Sequence, residues 1–391
     1  MEDMNNKKLN IGILAFSSCT NYGGMLQVYA LQEMIRRMGH NPQVVNLWPI
    51  PNNKYLLGVL HNPNVGIGTR IKGLRSWCTH RSYRLYEQRY RAFQCWQKKH
   101  LHMTKQCWKN AKEFAENPPA CDLLEVGSDQ VFNDDVSRLF LCTDVPTSLP
   151  RVSYGASFGG LDKHASERAR LKEGLSKFIG LSAREKSGTM LIRDILGMEI
   201  PWVVDPVLLP GRDFWQAIAT EDDKEEDDGY AVVYWLGRID LIRTRIERLH
   251  SQLGIPIRLF VGNYDKTMPV GIKGVDIQWG ADPFDFVRSI AHAKYVVSNS
   301  FHAMMFSIIF SRRAYFATDE GGPARGASAS RFTEIAKVAG CDKSLYSTWP
   351  DDKIDFFDMS QSLDACAEMI GASQNVLKSF CDKVTKRGIA E

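Results

Sequence analysis

A histidine stands where an apolar strand is followed by an apolar helix. His302 comes after the apolar pair Val296-Val297 and the polar turn Ser298-Asn299-Ser300, and it precedes a second apolar run. In open α/β sheets, ligands bind outside the carboxyl ends of strands, and helix N-termini attract anions. An imidazole at such a position can give or take a proton beside a bound phosphate or carboxylate. The alternative interpretation is a structural histidine that caps the turn, and the local sequence leaves both open.

Polar side chains also follow several other apolar runs. The turn Asn21-Tyr22-Gly23-Gly24 follows the apolar run 8–16, and its glycines would let a ligand approach backbone N–H groups. Further polar strand ends are Ser128-Asp129-Gln130 after 123–127, Ser157 after 152–156, Arg184 after 178–183 and Asp205 after 202–204. If these strands belong to one sheet, their ends surround a common crevice.

The bulk composition is that of a protein with two domains. A chain of 391 residues is too long for one ordinary domain. The nine cysteines are scattered without a Cys-x-x-Cys pair, which indicates a reducing compartment and argues against a disulfide framework or a structural zinc site. Residues 1–10 contain no apolar run of signal-peptide type, and no stretch of about 20 apolar residues exists. These features predict a cytoplasmic protein, and they single out no metal-ligating residues.

Strand and helix signals alternate along the chain. A strand at 8–16, a helix at 23–38 and a strand at 44–47 open it, as in a doubly wound sheet. The first turn lacks the Gly-x-Gly-x-x-Gly fingerprint, which argues against NAD. An acidic run at 221–228 marks a domain boundary. We therefore expect an α/β protein with two Rossmann-like domains facing a cleft, at 1–220 and 229–350, and a C-terminal helix within 355–391 that crosses back.

One segment is strongly basic. Between Arg70 and Lys112 there are twelve Lys and Arg residues against one acid, Glu87, and seven aromatic residues lie among them. Such a segment fits an anionic membrane surface or a lipid-linked pyrophosphate. It carries no signature of RNA or DNA binding. The alternative is a solvated helix whose aromatic side chains pack inward.

Six blocks of this sequence, taken together, resemble the motifs of one known family. They occur in order along nearly the whole chain: Asn21-Tyr22-Gly23-Gly24-Met25-Leu26-Gln27, Gly127-Ser128-Asp129-Gln130-Val131-Phe132-Asn133, Ser153-Tyr154-Gly155-Ala156-Ser157-Phe158-Gly159, Ser182-Ala183-Arg184-Glu185, Asp205-Pro206 and Ser300-Phe301-His302-Ala303. They are similar to those of the polysaccharide pyruvyl transferases. Gly24, Phe132 and Ala303 depart from the usual Ala, Trp and Gly, and none of these changes removes a charged group.

The resemblance implies a GT-B-like fold and a reaction. The enolpyruvyl carbon of phosphoenolpyruvate would become attached to two hydroxyls of a sugar, giving a cyclic pyruvate ketal and phosphate. Phosphoenolpyruvate would be a co-substrate, and no other cofactor is expected. The second domain would be the donor side. The phosphate and carboxylate of phosphoenolpyruvate need fixed cations and hydrogen-bond donors. The candidates are Arg184, Arg331, Arg325 and Ser300.

The same resemblance assigns roles to the remaining polar residues. His302 is expected to transfer the proton, and Asp129 to act as a base or to accept a sugar hydroxyl, although an Asx turn would also explain Asp129. The first domain, with the basic segment 70–112, would hold the acceptor, a glycan or lipid-linked oligosaccharide. The expected acceptor-binding residues are Asn21, Tyr22, Gly23, Gln27, Ser128, Gln130 and Ser157.

Two other functions fit parts of the pattern. A GT-B-type glycosyltransferase that uses a nucleotide sugar would need the same fold, arginines and helix N-termini. A non-enzymatic scaffold of glycan assembly at the inner face of the membrane would need only the basic segment. Nucleic acid is not an expected partner of this protein.

Overall fold

The protein is described from a computed structural model. It describes residues 8–17, 19–47, 66–132, 137–158, 165–221, 229–262, 271–317, 328–350 and 353–390.

The first half of the chain builds a six-stranded parallel sheet. Its strands are β1 (Asn10–Leu14), β2 (Asn41–Leu47), β3 (Met103–Trp108), β4 (Leu123–Val126), β5 (Arg151–Ala156) and β6 (Gly180–Ala183). They lie in the order β3-β2-β1-β4-β5-β6. Every residue of β4, β5 and β6 is buried. Parallel strands covered on both faces have this continuous burial, because helices pack on either side.

The helices of this half connect and cover those strands. They are α1 (Tyr22–Arg37), α2 (Ile67–Thr79), α3 (Arg81–His100), α4 (Ala111–Glu116), α5 (Ser137–Phe140), α6 (Ala165–Leu175), α7 (Lys186–Leu196) and α8 (Arg212–Thr220), with a 3₁₀ turn at Pro206–Leu208. Helix α1 begins after Asn21, whose side-chain oxygen accepts the N–H of Gly24 at 3.0 Å. Asn is a favoured N-cap because it satisfies such a free backbone N–H group.

The second half repeats the arrangement. Its elements are β7 (Ala231–Trp235), α9 (Arg243–Leu253), β8 (Ile257–Val261), β9 (Val275–Ile277), α10 (Pro283–Ala291), β10 (Tyr295–Ser298), α11 (Phe301–Ile309), β11 (Arg313–Ala317), α12 (Ser328–Val338), β12 (Leu345–Tyr346), β13 (Phe357–Asp358), α13 (Ser362–Ala365) and α14 (Ala367–Ala390). The order is β12-β11-β10-β7-β8-β9, with β13 antiparallel to β11.

Both sheets follow the doubly wound order of a Rossmann fold. Read from each half's own first strand, both orders are 3-2-1-4-5-6. The strand order therefore reverses between β1 and β4 in one sheet and between β7 and β10 in the other. Ligands of such sheets bind outside the carboxyl ends of the strands at this switch point. The predicted α/β class with two Rossmann-like units is confirmed.

The two halves share one hydrophobic core, and Tyr22 lies at their joint. Its ring stacks on Phe286 at 4.9 Å and meets Tyr234 and Phe260 edge-on, while its hydroxyl donates to the carbonyl of Ala281 at 3.2 Å. Arg89 of α3 reinforces the joint, because its guanidinium lies over the Tyr22 ring and donates to backbone carbonyls of both halves.

The last helix packs on the first sheet. Ser373 of α14 accepts the N–H of Val204 at 3.0 Å, and the Lys383 ammonium donates to the carbonyl of Ile179 at 3.0 Å. The ring of Phe380 lies against Gly180, at the start of β6. The chain therefore returns to its first half after completing the second sheet. The domain bounds 1–220, 229–350 and 355–391 remain predictions.

Two local expectations differ from the structure. The sequence predicts a strand at 202–204, but only an isolated bridge from Trp202 to Ala183 forms there. The basic segment contains the edge strand β3 as well as the helices α2 and α3. Tyr86, Phe93 and Trp96 of α3 are buried, as the alternative of inward-packing aromatic side chains expected.

Candidate active site

The imidazole of His302 lies between the two sheets. His302 is in the first turn of α11, which follows β10 at the switch point of the second sheet. Its ring packs directly on Gly23 in the first turn of α1, because a methyl group at Gly23 would lie 2.1 Å from Cγ and Nδ1 of the ring. The first turns of two helices, one from each half, therefore meet at this histidine.

A chain of charged side chains runs from His302 into the first sheet. Nε2 of His302 lies 3.4 Å from Oδ2 of Asp205, close enough for an ion pair but without a well-aligned hydrogen bond. Arg184 donates from Nη1 to the same Oδ2 at 2.6 Å and from Nη2 to Oδ1 of Asp129 at 3.3 Å. The side chain of Asp205 is fully buried and that of Arg184 is 1% exposed, whereas that of Asp129 is 22% exposed. A ligand in the cleft therefore meets Asp129 before Arg184.

The backbone holds both aspartates in fixed orientations. Asp129 follows β4 with a φ of 65°, and its carbonyl accepts the N–H groups of Val131 and Ser157. Asp205 begins the 3₁₀ turn, and its Oδ1 accepts the N–H of Val207 at 3.1 Å. A left-handed conformation is uncommon outside glycine, although Asp tolerates it. The strand end therefore points the Asp129 carboxylate at the guanidinium.

The charges of the cluster stabilise one another. Burial by itself would raise the pKa of Asp205, but His302 and Arg184 hold it well below its usual range. Burial also opposes ionisation of Asp129, yet Arg184, His302 and Arg331 lower its pKa. Burial would lower the pKa of Arg184, and the two carboxylates raise it instead. Both aspartates are therefore ionised at neutral pH.

A second guanidinium lies beside the cluster. Arg331 of α12 is half-buried, and its Cζ lies 5.5 Å from the centre of the Phe301 ring, while Cζ of Arg184 lies 5.1 Å from that ring. Burial and the neighbouring Arg184 lower the pKa of Arg331 to about 10, which leaves it charged at neutral pH. Its Nε has no hydrogen-bond partner among the described residues. Within the part of the chain that the structure describes, Arg331 is thus a cation whose Nε can still donate a hydrogen bond.

The other residues predicted for the donor have different positions. Ser300 is the N-cap residue of α11, directly before Phe301, but its side chain makes no capping hydrogen bond. Arg325 lies outside the described residues. The structure thus brings Arg184, Arg331 and Ser300 to the vicinity of His302, through strand β6, helix α12 and helix α11.

Several predicted acceptor residues line the end of the first sheet. Ser128 is buried and donates to the carbonyl of Gly155 at 3.2 Å, and Gln130 is half-buried. Ser157 is buried, and its N–H donates to the carbonyl of Asp129. Ser128 and Ser157 therefore help to fix the loop that carries Asp129.

The acceptor residues predicted from the first turn have mainly structural positions. Asn21 is exposed and caps α1, whereas Tyr22 is packed in the joint between the halves, so its side chain is closed to a sugar. Gly23 supports the ring of His302. Gln27 is fully buried, and neither of its amide atoms has a hydrogen-bond partner among the described residues.

Asp205 is the member of the cluster that sequence reasoning missed, although it stands in the Asp-Pro block. The available signal was a strand-end carboxylate in a sequence that also has Arg184 at a strand end. Arg184 and Asp205 lie 21 positions apart in the sequence, and only the fold brings them into contact. Within the described ranges, no group of three or more His, Cys, Asp or Glu side chains forms a metal site.

The fold defines a protein with two Rossmann-like sheets, and a cluster of buried charged side chains with His302 lies between them. The chain belongs to the polysaccharide pyruvyl transferase family, whose model matches residues 21–316. Membership places it among the pyruvyl transferases of polysaccharide synthesis and agrees with the resemblance seen in the sequence. A comparison with curated proteins finds no significant match.

Solved structures of similar shape are remote in sequence. The UDP-GlcNAc 2-epimerase from Rickettsia bellii has a TM-score of 0.49 and 11% identity, over 97% of this chain and 99% of that one. UGT89C1 from Arabidopsis thaliana has a TM-score of 0.47 and 12% identity, over 97% and 94%. Among the described residues, no helix has the length and apolar character needed to cross a membrane.

Proposed function

We propose that this protein transfers the enolpyruvyl group of phosphoenolpyruvate onto two hydroxyls of one sugar, in a polysaccharide or its lipid-linked precursor. The product is a cyclic pyruvate ketal, and phosphate leaves. One observation carries this proposal: His302, Asp205, Arg184 and Asp129 meet at the junction of both sheets, in a member of a pyruvyl transferase family.

The donor's anions are assigned to the second sheet. Arg331 offers a charged guanidinium beside Phe301, and the N-terminus of α11 offers backbone N–H groups next to His302. Arg184 already contacts two carboxylates and is almost fully buried, so its role is to hold Asp205 and Asp129 in place. The sequence predicted Arg184 as the main contact of the donor. Arg331 takes that role in the proposal.

The chemistry needs one proton at carbon and two bonds to oxygen. His302 gives a proton to the methylene carbon, which becomes the methyl group, and C2 becomes oxocarbenium-like. Two sugar hydroxyl oxygens form bonds to C2, and the bond from C2 to the phosphate oxygen breaks. One hydroxyl proton restores the imidazolium, and the other leaves with hydrogen phosphate. General acid–base catalysis of this kind is typically worth roughly 10²–10⁴-fold.

The two carboxylates have separate tasks in this scheme. Asp205 orients the imidazole through the contact at Nε2, as a buried carboxylate does in a catalytic triad. Asp129 is the more exposed carboxylate, and its lowered pKa keeps it ionised. It therefore accepts a hydrogen bond from a sugar hydroxyl and orients that oxygen for attack.

Turnover tests the proposal directly. The intact protein is incubated with phosphoenolpyruvate and a panel of p-nitrophenyl hexosides, followed by a phosphate assay and mass spectrometry of the sugar. We expect phosphate release that depends on the sugar, and a product with the mass of a pyruvate ketal. Release of a nucleoside diphosphate from a UDP-sugar, with no reaction of phosphoenolpyruvate, would contradict the proposal and favour a glycosyltransferase.

The donor contact is tested by calorimetry with phosphoenolpyruvate alone. Arg331→Met should weaken binding by about 2–4 kcal/mol, the scale for losing a charge-assisted contact. The matched control is Arg193→Met, because Arg193 is an exposed arginine of α7 paired with Glu199. Equal donor affinity in both variants would remove Arg331 from the donor site.

A further inference from the structure

Helix α2 is oriented with its apolar side outward. Ile67, Ile71 and Leu74 are 76%, 63% and 47% exposed, although these side chains are usually buried. The structure describes every residue of this helix, and among them only Gly73 is buried. The helix therefore contacts the rest of the molecule without using Ile67, Ile71 or Leu74.

Helical spacing gathers these side chains into one stripe. Positions i, i+4 and i+7 lie on the same face, so Ile67, Ile71 and Leu74 form a continuous row, which the exposed Cys78 extends. Thr69, Gly73 and Ser76 occupy the opposite face and are half-buried or buried. An ordinary surface helix has the reverse arrangement, with apolar residues towards the core.

The surroundings of the stripe are positively charged. Arg75 is exposed on its flank and Lys72 is exposed further round the helix, and between residues 66 and 86 the sequence contains no Asp or Glu. The next helix, α3, adds the exposed Arg81 and Arg84. Arg84 also fixes the end of α2, because its Nη1 lies 3.3 Å from the carbonyls of Trp77 and Cys78.

We propose that α2 lies flat on an anionic phospholipid bilayer. The stripe Ile67-Ile71-Leu74 would enter the boundary between headgroups and acyl chains, and Lys72 and Arg75 would meet the lipid phosphates. Interfacial helices combine these two features, a row of apolar side chains and a basic flank. An unbroken positive charge around the stripe fits a negative lipid surface better than a second copy of this basic helix.

The helix pair is firmly connected to the active site. Arg89 of α3 donates to the carbonyl of Thr20, the residue before the N-cap Asn21. Docking α2 on a bilayer would therefore hold the cleft at a fixed height above the lipid, where lipid-linked acceptors are concentrated. This inference goes beyond the proposed reaction, because lipid binding is measured without any substrate.

Vesicle sedimentation tests the surface. The intact protein is mixed with vesicles of phosphatidylcholine, with or without phosphatidylglycerol. We expect binding that requires phosphatidylglycerol, and roughly tenfold or greater weakening in Ile67→Ser/Ile71→Ser/Leu74→Ser, since binding follows the buried apolar area. The matched control is Met190→Ser/Met198→Ser/Leu241→Ser, which removes three other exposed apolar side chains and should bind like the unmodified protein.

A charge variant separates the two contributions. Lys72→Gln/Arg75→Gln should retain the fold and lose most of the dependence on phosphatidylglycerol. Equal binding by the triple variant of α2 and its control would overturn the proposal. So would a concentration-dependent dimer that only the α2 variant loses in sedimentation velocity, because a second copy would then cover the stripe. Thermal melts confirm that every variant is folded.

Discussion

At the scale of single residues, the site depends on the contact between Gly23 and His302. The imidazole occupies the space that a side chain at position 23 would fill, and the Asp205 carboxylate lies at its Nε2. The ring is thus held on one side by Gly23 and at Nε2 by the Asp205 carboxylate. This placement explains why a glycine stands in the first turn of α1, where it has no advantage for helix formation.

His302→Gln keeps most of the size and hydrogen-bonding capacity but cannot transfer a proton near neutral pH. We expect kcat for ketal formation to fall by roughly 10²–10⁴-fold, with donor affinity little changed. A steady-state assay and a thermal melt are measured on one preparation. A folded variant with near-native kcat would show that His302 is a structural residue, as the turn-cap interpretation holds.

Gly23→Ala should displace the same imidazole without altering any polar group. Its new methyl group would lie 2.1 Å from the ring, so we expect activity to fall towards that of His302→Gln. Gly24→Ala is the matched control, since its methyl group meets Cys19 Sγ at 3.1 Å and Asn21 Cβ at 3.5 Å, where a small shift suffices. The family motif also has Ala at this position. Similar kcat values for the two alanine variants would contradict the steric role.

At the scale of elements, β4 carries a carboxyl group inside the sheet. Glu125 is 1% exposed and accepts the N–H of Tyr154 at Oε1, while Oε2 has no partner among the described residues. Burial raises the pKa of Glu125 from 4.5 to about 8, despite the hydrogen bond from Tyr154. The folded protein therefore keeps this group neutral over a pH range in which the unfolded chain ionises it.

The sign of the pH effect follows from that shift. Stability from neutral Glu125 is fully present below pH 4.5, decreases as pH rises and is lost above about 8. Glu125→Gln should remove this dependence and stabilise the protein at alkaline pH, by at most roughly 5 kcal/mol. The free energy of unfolding in urea, measured at about pH 6 and about pH 9, gives this pH dependence. Glu173→Gln, at an exposed position of α6, should leave the dependence unchanged, and parallel pH profiles for both variants would refute the assignment.

At the scale of the whole molecule, one hydrophobic cluster continues from the first half into the second. The Tyr22 ring, carried by the first half, contacts Tyr234, Phe260 and Phe286 of the second. Helix α14 adds a second connection, from the end of the chain to β6. The position of His302 over Gly23 depends on both connections, since the two residues belong to different halves.

Tyr22→Ala should therefore weaken the joint as well as the core. We expect a loss of about 3–5 kcal/mol, the usual cost of deleting a buried aromatic side chain. Because the joint positions the site, kcat should fall even at temperatures where the protein is folded. The control is Tyr346→Ala, an exposed tyrosine that stacks on Tyr315, with an expected cost of about 1 kcal/mol. Chemical unfolding and a rate assay check both, and a fully stable Tyr22→Ala would contradict the packing role.

The sequence by itself determined the alternation of strands and helices and several of the residues at strand ends. Strand-like apolar runs and polar turns are local signals, so they suffice to place His302, Asp129 and Arg184 at the carboxyl ends of strands. The short edge strands were missed, because runs such as Met103–Trp108 alternate weakly and carry lysine. The family motifs also indicated the function class that the family model shows.

Only the tertiary structure decided which of these residues touch. The contacts of Arg184 with Asp205 and Asp129 span 21 and 55 positions, and the contact of His302 with Gly23 depends on how the two sheets dock. The burial of Tyr22 and the exposure of the α2 stripe could not be predicted from the sequence either. A sequence pattern shows that a face is apolar but not what covers it. Long-range contacts arise from the packing of whole elements, and no local spacing specifies that packing.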